Sequence, residues 1–348
     1  MQLFLLLFSV LILFATLIPL VKKEYWVFRV FEYPRLQKLV ANCLCIVLWV
    51  VFPTKYSLVD AVFLIVLFLN ATYITYLILP FTSIWKKQVL SIRKEINGNG
   101  ISIMIANVYQ DNTNYKGCLN EINKANPDIV LLLETGPKWE METNSLEKDF
   151  PYTIKAPLDN TYGMLLYSKL PLEDGLIKFL VEDEIPSIHV QVVLPNEKRI
   201  QLYAVHPTPP VPTENPTSME RDKELLLIAD LAKKSDIPVI VIGDLNDVAW
   251  SFTTELFLKM SGLLDPRRGR GFFNTFNAHY PFLRFPLDHA FISVDFKLLK
   301  IKRLNNFNSD HFPMFISLQY EETAKFEQQS LEPDAADIQT AKEKKQAV

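Results

Sequence analysis

Three long apolar runs dominate the start of the chain, at residues 2–21, 39–52 and 58–79. The first and third are about twenty residues long, which is enough for a helix to cross a bilayer. The second is shorter, ends at Pro53, and fits either a span or a re-entrant or interfacial segment. None of the three has the polar face that a helix packed on a soluble core would keep. We therefore expect residues 1–85 to form a membrane region with about three transmembrane helices.

Basic residues around these runs predict which side of the membrane holds the rest of the chain. They cluster after the first run and after the third, as Lys22, Lys23, Arg29, Arg35 and Lys38, and then Lys86, Lys87, Arg93 and Lys94. The loop on the other side carries only Lys55. The positive-inside rule then makes the following domain cytoplasmic and the chain an integral protein of the inner (plasma) membrane. This orientation becomes ambiguous if the second run does not cross.

The first run is not expected to be removed as a signal peptide. It begins without Lys or Arg and meets Lys22 and Lys23 without a small-residue cleavage site.

Residues 95–320 alternate between strand-like and helix-like patterns, after a turn cluster at Asn97–Gly100. Apolar or alternating runs predict strands at 101–108, 128–134, 164–167, 188–194, 200–205, 239–242, 287–293, 296–304 and 315–318. Helical spacing predicts helices at 115–125, 219–234 and 252–260. This mixture predicts a layered α/β or α+β domain. Residues 321–348 are rich in charge, and we expect a disordered tail.

Composition narrows the possible functions. The whole chain carries a formal net charge of −3, and residues 95–320 contain more acidic than basic side chains. There is thus no general electrostatic case for binding a nucleic-acid backbone. The three cysteines, Cys43, Cys45 and Cys118, form neither a disulfide framework nor a zinc-motif spacing.

Polar side chains recur where the apolar runs of this domain end. The clearest case is the four-residue run Val239–Ile242, which Gly243, Asp244 and Asn246 follow. Loops at the ends of buried strands are where rigid scaffolds place their chemistry. The full set is Asn107, Glu134, His206, Asp244, Asn246, Asp288, Asp310 and His311.

These residue types suit metal-assisted hydrolysis of a phosphate ester. Mg²⁺ prefers oxygen ligands, which Glu134, Asn107 and Asp310 could supply, whereas zinc is a weaker choice because no cysteine joins the set. Asp244 is a candidate base for water, with Asn246 holding its geometry. His206 and His311 could donate to the phosphate, and Asp288 could fix the tautomer of His311.

The same residues, in the same order, resemble the endonuclease/exonuclease/phosphatase (DNase I-like) superfamily. The motifs are Asn107, Glu134 in Leu-Leu-Leu-Glu-Thr, Gly163 with Tyr167-Ser168, His206, Gly-Asp244-Leu-Asn246, Leu-Asp288-His and Ser-Asp310-His311-Phe-Pro. The chain looks most like a bacterial, membrane-anchored branch. The resemblance implies a four-layer sandwich of two mixed β-sheets flanked by helices. It implies a metal at Glu134 with Asn107 and Asp310 nearby, water activation by Asp244 with Asn246, and phosphate contacts from His206 and from His311 paired with Asp288. Some members carry Tyr at the place of His206.

Several residues remain open to a structural interpretation. Asn107 and Asp310 could be simple turn residues. We expect His289 to be structural, because it neighbours Asp288 on a strand and should face the other way. Trp250 fits packing better than base stacking. The cations of the loop at 267–271 could form a solvated surface or a phosphate clamp.

The sequence therefore predicts a membrane-anchored phosphoesterase that depends on Mg²⁺, with Mn²⁺ as a possible substitute. A nuclease-like phosphodiesterase or phosphatase is the leading expectation. A phospholipase C or sphingomyelinase-like enzyme that cleaves lipid headgroups is the alternative, because the anchor places the domain beside lipid. A non-catalytic membrane scaffold that keeps the fold is an alternative of a different class.

Overall fold

The computed structural model describes residues 2–52 and 57–347, so the predictions on Pro53 and Lys55 lie outside the described residues. The N-terminal region consists of helices α1 (Gln2–Leu17), α2 (Trp26–Arg29), α3 (Arg35–Val51) and α4 (Leu58–Ile78). Two segments, Leu3–Leu20 and Leu58–Phe81, are long and apolar enough to cross a membrane. A third span results only if α3 counts together with the segment Trp26–Glu32, from which it is bent by 69°.

Helices α1, α3 and α4 form an up–down–up bundle. The Lys38 ammonium donates to the Ala15 carbonyl, and the Ser9 hydroxyl lies 3.0 Å from the Cys45 thiol, so α3 runs antiparallel to α1. The Asn42 amide donates to the Leu67 carbonyl, and the Asn70 amide donates to Asn42 Oδ1 at 2.9 Å. These buried amides hold α3 and α4 in register, because an unpaired amide in an apolar bundle is costly.

Two mixed β-sheets build the domain that follows. Their strands are β1 (Gly100–Asn107), β2 (Ile129–Leu133), β3 (Tyr152–Ala156), β4 (Met164–Ser168), β5 (Leu172–Lys178), β6 (Ser187–Val193), β7 (Arg199–Ala204), β8 (Val239–Asp244), β9 (Asp288–Ile292), β10 (Phe296–Arg303) and β11 (Met314–Tyr320). The first sheet has the order β10-β11-β1-β2-β4-β3 and the second the order β5-β6-β7-β8-β9. Only β1 with β2, and β7 with β8, pair in parallel among the described strands.

The helices α5 (Tyr115–Ala125), α6 (Pro137–Thr143), α7 (Met219–Lys234) and α8 (Phe252–Ser261) cover the outer faces of the sheets. Strand β8 shows how the sequence dictates these layers. Ile240 and Ile242 point into the core between the two sheets, whereas Val239 and Val241 point toward α7 and α8. A strand buried on both faces needs an unbroken apolar run, and residues 239–242 provide it. The four-layer arrangement expected from the sequence is confirmed.

The chain after residue 320 differs from the expectation. The disordered tail predicted for residues 321–348 is wrong, because Ala335–Gln346 form a helix, α9, that packs on α7 and α8. Asp334 and Asp337 form a capping box at its start, and the Lys344 ammonium lies 2.8 Å from the Asp222 carboxylate. Local capping and a buried ion pair stabilise a segment whose composition alone is typical of disorder.

Strands β3 and β5 and helix α6 were not predicted either. β3 and β5 lie at sheet edges, where β3 is mostly half-buried and β5 mostly exposed, so their sequences lack the apolar pattern on which strand prediction depends.

Candidate active site

The eight polar residues singled out in the sequence gather where the two sheets meet. Asn107 ends β1 and Glu134 follows β2 in the first sheet, and Asp244 and Asp288 lie in β8 and β9 of the second. The remaining four, His206, Asn246, Asp310 and His311, lie on the loops beside them. The candidate active site is therefore built from both sheets, and the rigid sandwich positions it.

Close backbone approach fixes the strand ends. A Cβ on Gly243, which has a φ of +147°, would lie 1.8 Å from the Val205 carbonyl oxygen, so only glycine allows β8 to pack there. Glu134 and Asn246 have φ values of +59° and +49°, in the left-handed region that non-glycine residues seldom adopt. Such backbone strain is concentrated at functional sites, where it aims a side chain.

Asn107 joins the two sheets across the cleft. Its amide donates to Glu134 Oε1 at 2.7 Å and to Asp244 Oδ2 at 3.2 Å. Its own Oδ1 accepts from the Tyr109 backbone N–H. Burial raises the pKa of Glu134 to about 7, although the hydrogen bond from Asn107 opposes that rise. The Asp310 and Asp244 carboxylates raise this pKa further, which shows that three acidic groups share one region.

His311 bridges two carboxylates. Its Nδ1 lies 2.9 Å from Asp288 Oδ2, and its Nε2 lies 3.4 Å from Asp244 Oδ2. Burial alone would lower the pKa of His311, but the two carboxylates outweigh burial and raise it to about 10. The Ser309 hydroxyl accepts from the His311 backbone N–H and donates to the Asn107 carbonyl, which ties this loop to β1.

His206 and Asp310 complete the cleft with unpartnered polar atoms. His206 is buried, its Nδ1 has no hydrogen-bond partner among the described residues, and burial lowers its pKa to about 4. Asp310 Oδ1 and Asp288 Oδ1 are likewise buried without a partner in the described part of the chain. Buried oxygens of this kind are suited to a ligand that donates hydrogen bonds or carries positive charge.

The Asn246 loop has supports that the sequence did not indicate. The Asn246 N–H donates to Asp244 Oδ1 at 2.9 Å, and its side-chain amide donates to the Pro207 carbonyl. Its carbonyl accepts from Arg221 Nη1 of α7 and from the Tyr33 hydroxyl, both at 2.8 Å. Tyr33 lies between α2 and α3, so the N-terminal region touches the loop that follows the candidate base.

The cations of the loop at 267–271 contact other residues and do not form a solvated surface. Arg267 is buried, pairs with Asp265 at 2.8 Å and donates to the Asp288 carbonyl. Arg268 lies over the Phe81 ring, and Arg270 donates to the Val89 carbonyl. The solvated-surface alternative is wrong because Arg267 and Arg270 hold the loop in place through these contacts. A phosphate contact by Arg268 stays a prediction.

The structural interpretations of His289 and Trp250 are confirmed. His289 is buried away from the cleft, with Nδ1 against Arg267 and Nε2 against the Asp247 carbonyl. The Trp250 indole donates to the Glu32 carbonyl and packs edge-on against Phe272.

The site also contains a group of metal-ligating types. Asp244, Asp288 and His311 each offer a ligand atom, and these atoms all lie within 4.8 Å of one another. This buried Asp/Asp/His group differs from the set Glu134, Asn107 and Asp310 that the sequence predicted, although both sets border the same cleft.

The site lies within a segment that matches a known family. The model of the Endonuclease/Exonuclease/phosphatase family matches residues 104–311, which is more than half of the chain and includes all eight residues. The chain belongs to this family. The domain therefore has the fold of this family of phosphoesterases.

Solved structures share the endonuclease/exonuclease/phosphatase fold at low sequence identity. D. rerio TDP2 complexed with a single-strand DNA product has a TM-score of 0.54 and 16% identity, over 63% of this chain and 99% of that one. A family protein of Bacteroides thetaiotaomicron has a TM-score of 0.53 and 15% identity, over 65% and 100%. A third, from Beutenbergia cavernae, has a TM-score of 0.51 and 16% identity, over 64% and 72%. A search of curated proteins finds no match.

Proposed function

We propose that this protein is a membrane-anchored phosphoesterase that requires a divalent cation and cleaves a phosphodiester or phosphomonoester bond. The observation that carries the proposal is the chain of hydrogen bonds and ion pairs from Glu134 through Asn107 and Asp244 to His311 and Asp288. It places carboxylates, an amide and a histidine around one cleft, which are the groups that phosphate hydrolysis needs.

The residues present suit Mg²⁺ or Mn²⁺. Their donors are oxygens, and the buried Asp310 Oδ1 has no partner among the described residues. Glu134, Asn107 and Asp310 would hold the ion, as the sequence predicted. A bound cation would supply positive charge to the phosphate oxygens.

The side chains of the cleft have separate roles in this proposal. Asp244, held by the Asn246 N–H, accepts a proton from the attacking water. His311, held as an imidazolium between Asp288 and Asp244, donates to a phosphate oxygen. His206 is neutral because burial lowers its pKa, and it orients the phosphate through its unpartnered nitrogen.

The Asp244, Asp288 and His311 group is an alternative metal site in the same cleft. We favour the Glu134 site because both nitrogens of His311 already face carboxylates, and a protonated imidazole is not a metal ligand. Electron spin-echo spectroscopy of the Mn²⁺-loaded chain distinguishes them. A histidine nitrogen coupling that disappears in His311→Gln would assign the ion to the alternative site.

The substrate is either nucleic acid or a lipid-borne phosphate. The D. rerio TDP2 structure holds a single-strand DNA product, which supports the first class. Residues 277–283, called here the lip segment, support the second. The lip segment borders Asp310, because the Ala278 N–H donates to the Asp310 carbonyl, and it reaches the start of α3, where Gln37 donates to the Phe282 carbonyl. Its exposed apolar side chains are Tyr280 at 61%, Phe282 at 87% and Leu283 at 52% exposure.

Hydrolysis by the purified full-length chain in detergent tests the proposal. DNA, RNA, phosphatidylcholine, sphingomyelin and inositol phosphates would be assayed in parallel with Mg²⁺, with Mn²⁺ and with chelator. We expect cleavage of one class, lost with chelator and in Asp244→Asn. A folded, metal-binding chain that cleaves none of these would favour the scaffold alternative.

The anchor is the second part of the proposal. Two or three apolar helices, with basic residues at their domain-side ends, support a cytoplasmic catalytic domain. Fusion of a reporter that is active only in the cytoplasm to the C-terminus tests the orientation. Release of the chain from membranes by alkaline carbonate would contradict the anchor itself.

A further inference from the structure

A cavity of about 760 Å³ lies between the N-terminal helices and the base of the catalytic domain. We call it the basal cavity. Its walls come from the ends of α1 and α4, the segment at 85–88, helix α8 and the segment at 326–331, and include Leu20, Arg35, Phe81, Lys86 and Trp250. None of the eight residues of the active site lines it. The basal cavity is therefore a separate place in the molecule.

The walls of the basal cavity carry unbalanced positive charge. Five of its cations, Lys22, Arg35, Lys86, Lys87 and Arg268, have no carboxylate within 4.0 Å among the described residues. Three of the four acids that line it already contact a lysine. Asp337 and Glu255 contact Lys259 at 3.0 and 3.6 Å, and Glu327 contacts Lys297 at 3.1 Å. An anion is the ligand that such a wall favours.

Arg35 is the decisive side chain. It is only 8% exposed, lines the basal cavity, and makes no side-chain hydrogen bond or ion pair with any residue in the described ranges. Glu32 lines the same wall, but its closest cation is Arg29, at 3.9 Å. The carboxylates of Glu32 and Glu255 act on Arg35 only from beyond ion-pair distance. A buried guanidinium with no direct hydrogen-bond acceptor is costly, so its place in the fold indicates a ligand with oxygens that the protein chain does not supply at contact distance.

The position of the basal cavity identifies the source of the anion. Its apolar side is formed by the ends of Leu3–Leu20 and Leu58–Phe81, the two segments able to cross a membrane. Tyr73, Tyr76 and Trp85 line it as well, and aromatic residues of this kind favour the headgroup level of a bilayer. Cations at that level with an apolar wall behind them fit a phosphate that carries acyl chains, rather than a free ion.

We propose that the basal cavity binds the phosphate headgroup of an anionic phospholipid from the leaflet that the catalytic domain faces. Arg35 is the buried donor, Lys86 and Lys87 are the outer cations, and the acyl chains lie along α1 and α4. This rests on the membrane anchoring proposed above. It is independent of the reaction, since the site shares no residue with the cleft.

Native mass spectrometry of the full-length chain in detergent tests this site. The chain would be titrated with phosphatidylglycerol, with phosphatidylcholine and with inorganic phosphate. We expect phosphatidylglycerol to bind at least about tenfold more tightly than phosphatidylcholine, and phosphate not to displace it. Equal affinities for the two lipids, or full displacement by phosphate, would overturn the proposal.

Two matched variants locate the binding. Lys86→Gln with Lys87→Gln removes two exposed cations from the wall, and Lys233→Gln with Lys234→Gln removes two exposed cations from the far end of α7. We expect the first pair to weaken phosphatidylglycerol binding about tenfold and the second to leave it unchanged. A similar loss of phosphatidylglycerol affinity in both double variants would mean that surface lysines attract the lipid without a specific site, and would overturn the proposal.

Arg35→Gln should weaken phosphatidylglycerol binding at least as strongly as the Lys86→Gln and Lys87→Gln pair does. A thermal melt verifies that this variant is folded. Asp244→Asn is expected to bind the lipid as the wild type does. Failure of the reaction and failure of the lipid site are therefore separate results.

Discussion

The cleft and the basal cavity carry opposite unpaired charge. In the cleft, Glu134, Asp244, Asp288 and Asp310 outnumber the single imidazolium of His311. In the basal cavity, five cations lack a carboxylate partner among the described residues. The uncompensated charge is costly in the cleft and at Arg35 in the basal cavity, because buried charge needs compensation. We therefore expect each place to bind a ligand of the opposite charge: a metal cation in the cleft and, as proposed above, an anionic headgroup in the basal cavity.

Removal of the candidate base should have the largest effect on the cleft. Asp244→Asn keeps the shape and the acceptor for the Asn246 N–H but loses the proton acceptor. We expect turnover to fall by about 10²–10⁴-fold with the thermal melting temperature nearly unchanged. The measurement is the initial rate on whichever substrate the wild type cleaves. A rate like that of the wild type would remove Asp244 as the base.

The excess of carboxylates should make the metal-free protein sensitive to pH. Burial raises the pKa of Glu134 from 4.5 to about 7 in the folded state, so the folded state keeps a proton that the unfolded state releases. Stability from this group is full below pH 4.5 and is lost as pH rises through about 7, by on the order of 3 kcal/mol. Melting in chelator between pH 5 and 8 measures the slope.

Glu134→Gln is the control for that slope, because the amide does not titrate. The variant should melt at a temperature that depends less on pH, and Mg²⁺ should restore the wild type at pH 8. A slope that persists in the variant would assign the effect to another group.

The same variant tests the metal site by a second readout. Loss of one carboxylate ligand should raise the Mg²⁺ concentration needed for half-maximal activity by about tenfold or more. Asp310→Asn is the matched comparison on the facing loop. An unchanged Mg²⁺ requirement in Glu134→Gln would count against Glu134 as a ligand and in favour of the Asp244, Asp288 and His311 group.

The smallest expected effect concerns the contact between the N-terminal region and the loop that holds Asn246. Tyr33→Phe removes one of two donors to the Asn246 carbonyl, which Arg221 still contacts. We expect a loss of about 1 kcal/mol in stability and a fall in turnover of less than about tenfold. Tyr25→Phe is the control, since Tyr25 is exposed in the same connecting region. Equal effects in both variants would mean that Tyr33 does not position the loop.

The residues of the cleft could be predicted from the sequence and those of the basal cavity could not. Asn107, Asp244 and Asp288 lie at the ends of apolar runs, and a strand end is visible in the pattern of a single segment. Their roles in the reaction stay predictions. Arg35, Lys86 and Arg268 are far apart in the sequence and line one cavity only in the folded chain. The pattern of a single segment cannot predict that they come together.

Hydrogen bonds that hold the site loops from residues far away in the sequence were missed for the same reason. Tyr33 and Asn246 are 213 positions apart. The helix α9 was missed because its stability comes from ion pairs with Glu24 and Asp222, whereas its composition favours disorder. The edge strands β3 and β5 were not predicted because their sequences contain no clear pattern of apolar residues.

Two separate joints fasten the catalytic domain to its helices. The Trp26 N–H donates to the Pro216 carbonyl, and the Gly269 N–H donates to the Pro80 carbonyl, so the domain is held after α1 and again after α4. A domain held at two points is restricted in its rotation relative to the helices, whereas a domain on a single flexible linker would rotate freely. If the substrate is the lipid-borne phosphate proposed above, such a rigidly held domain meets it by lateral diffusion in the plane of the membrane. The rate of reaction then depends on the surface density of the lipid and not on a bulk concentration.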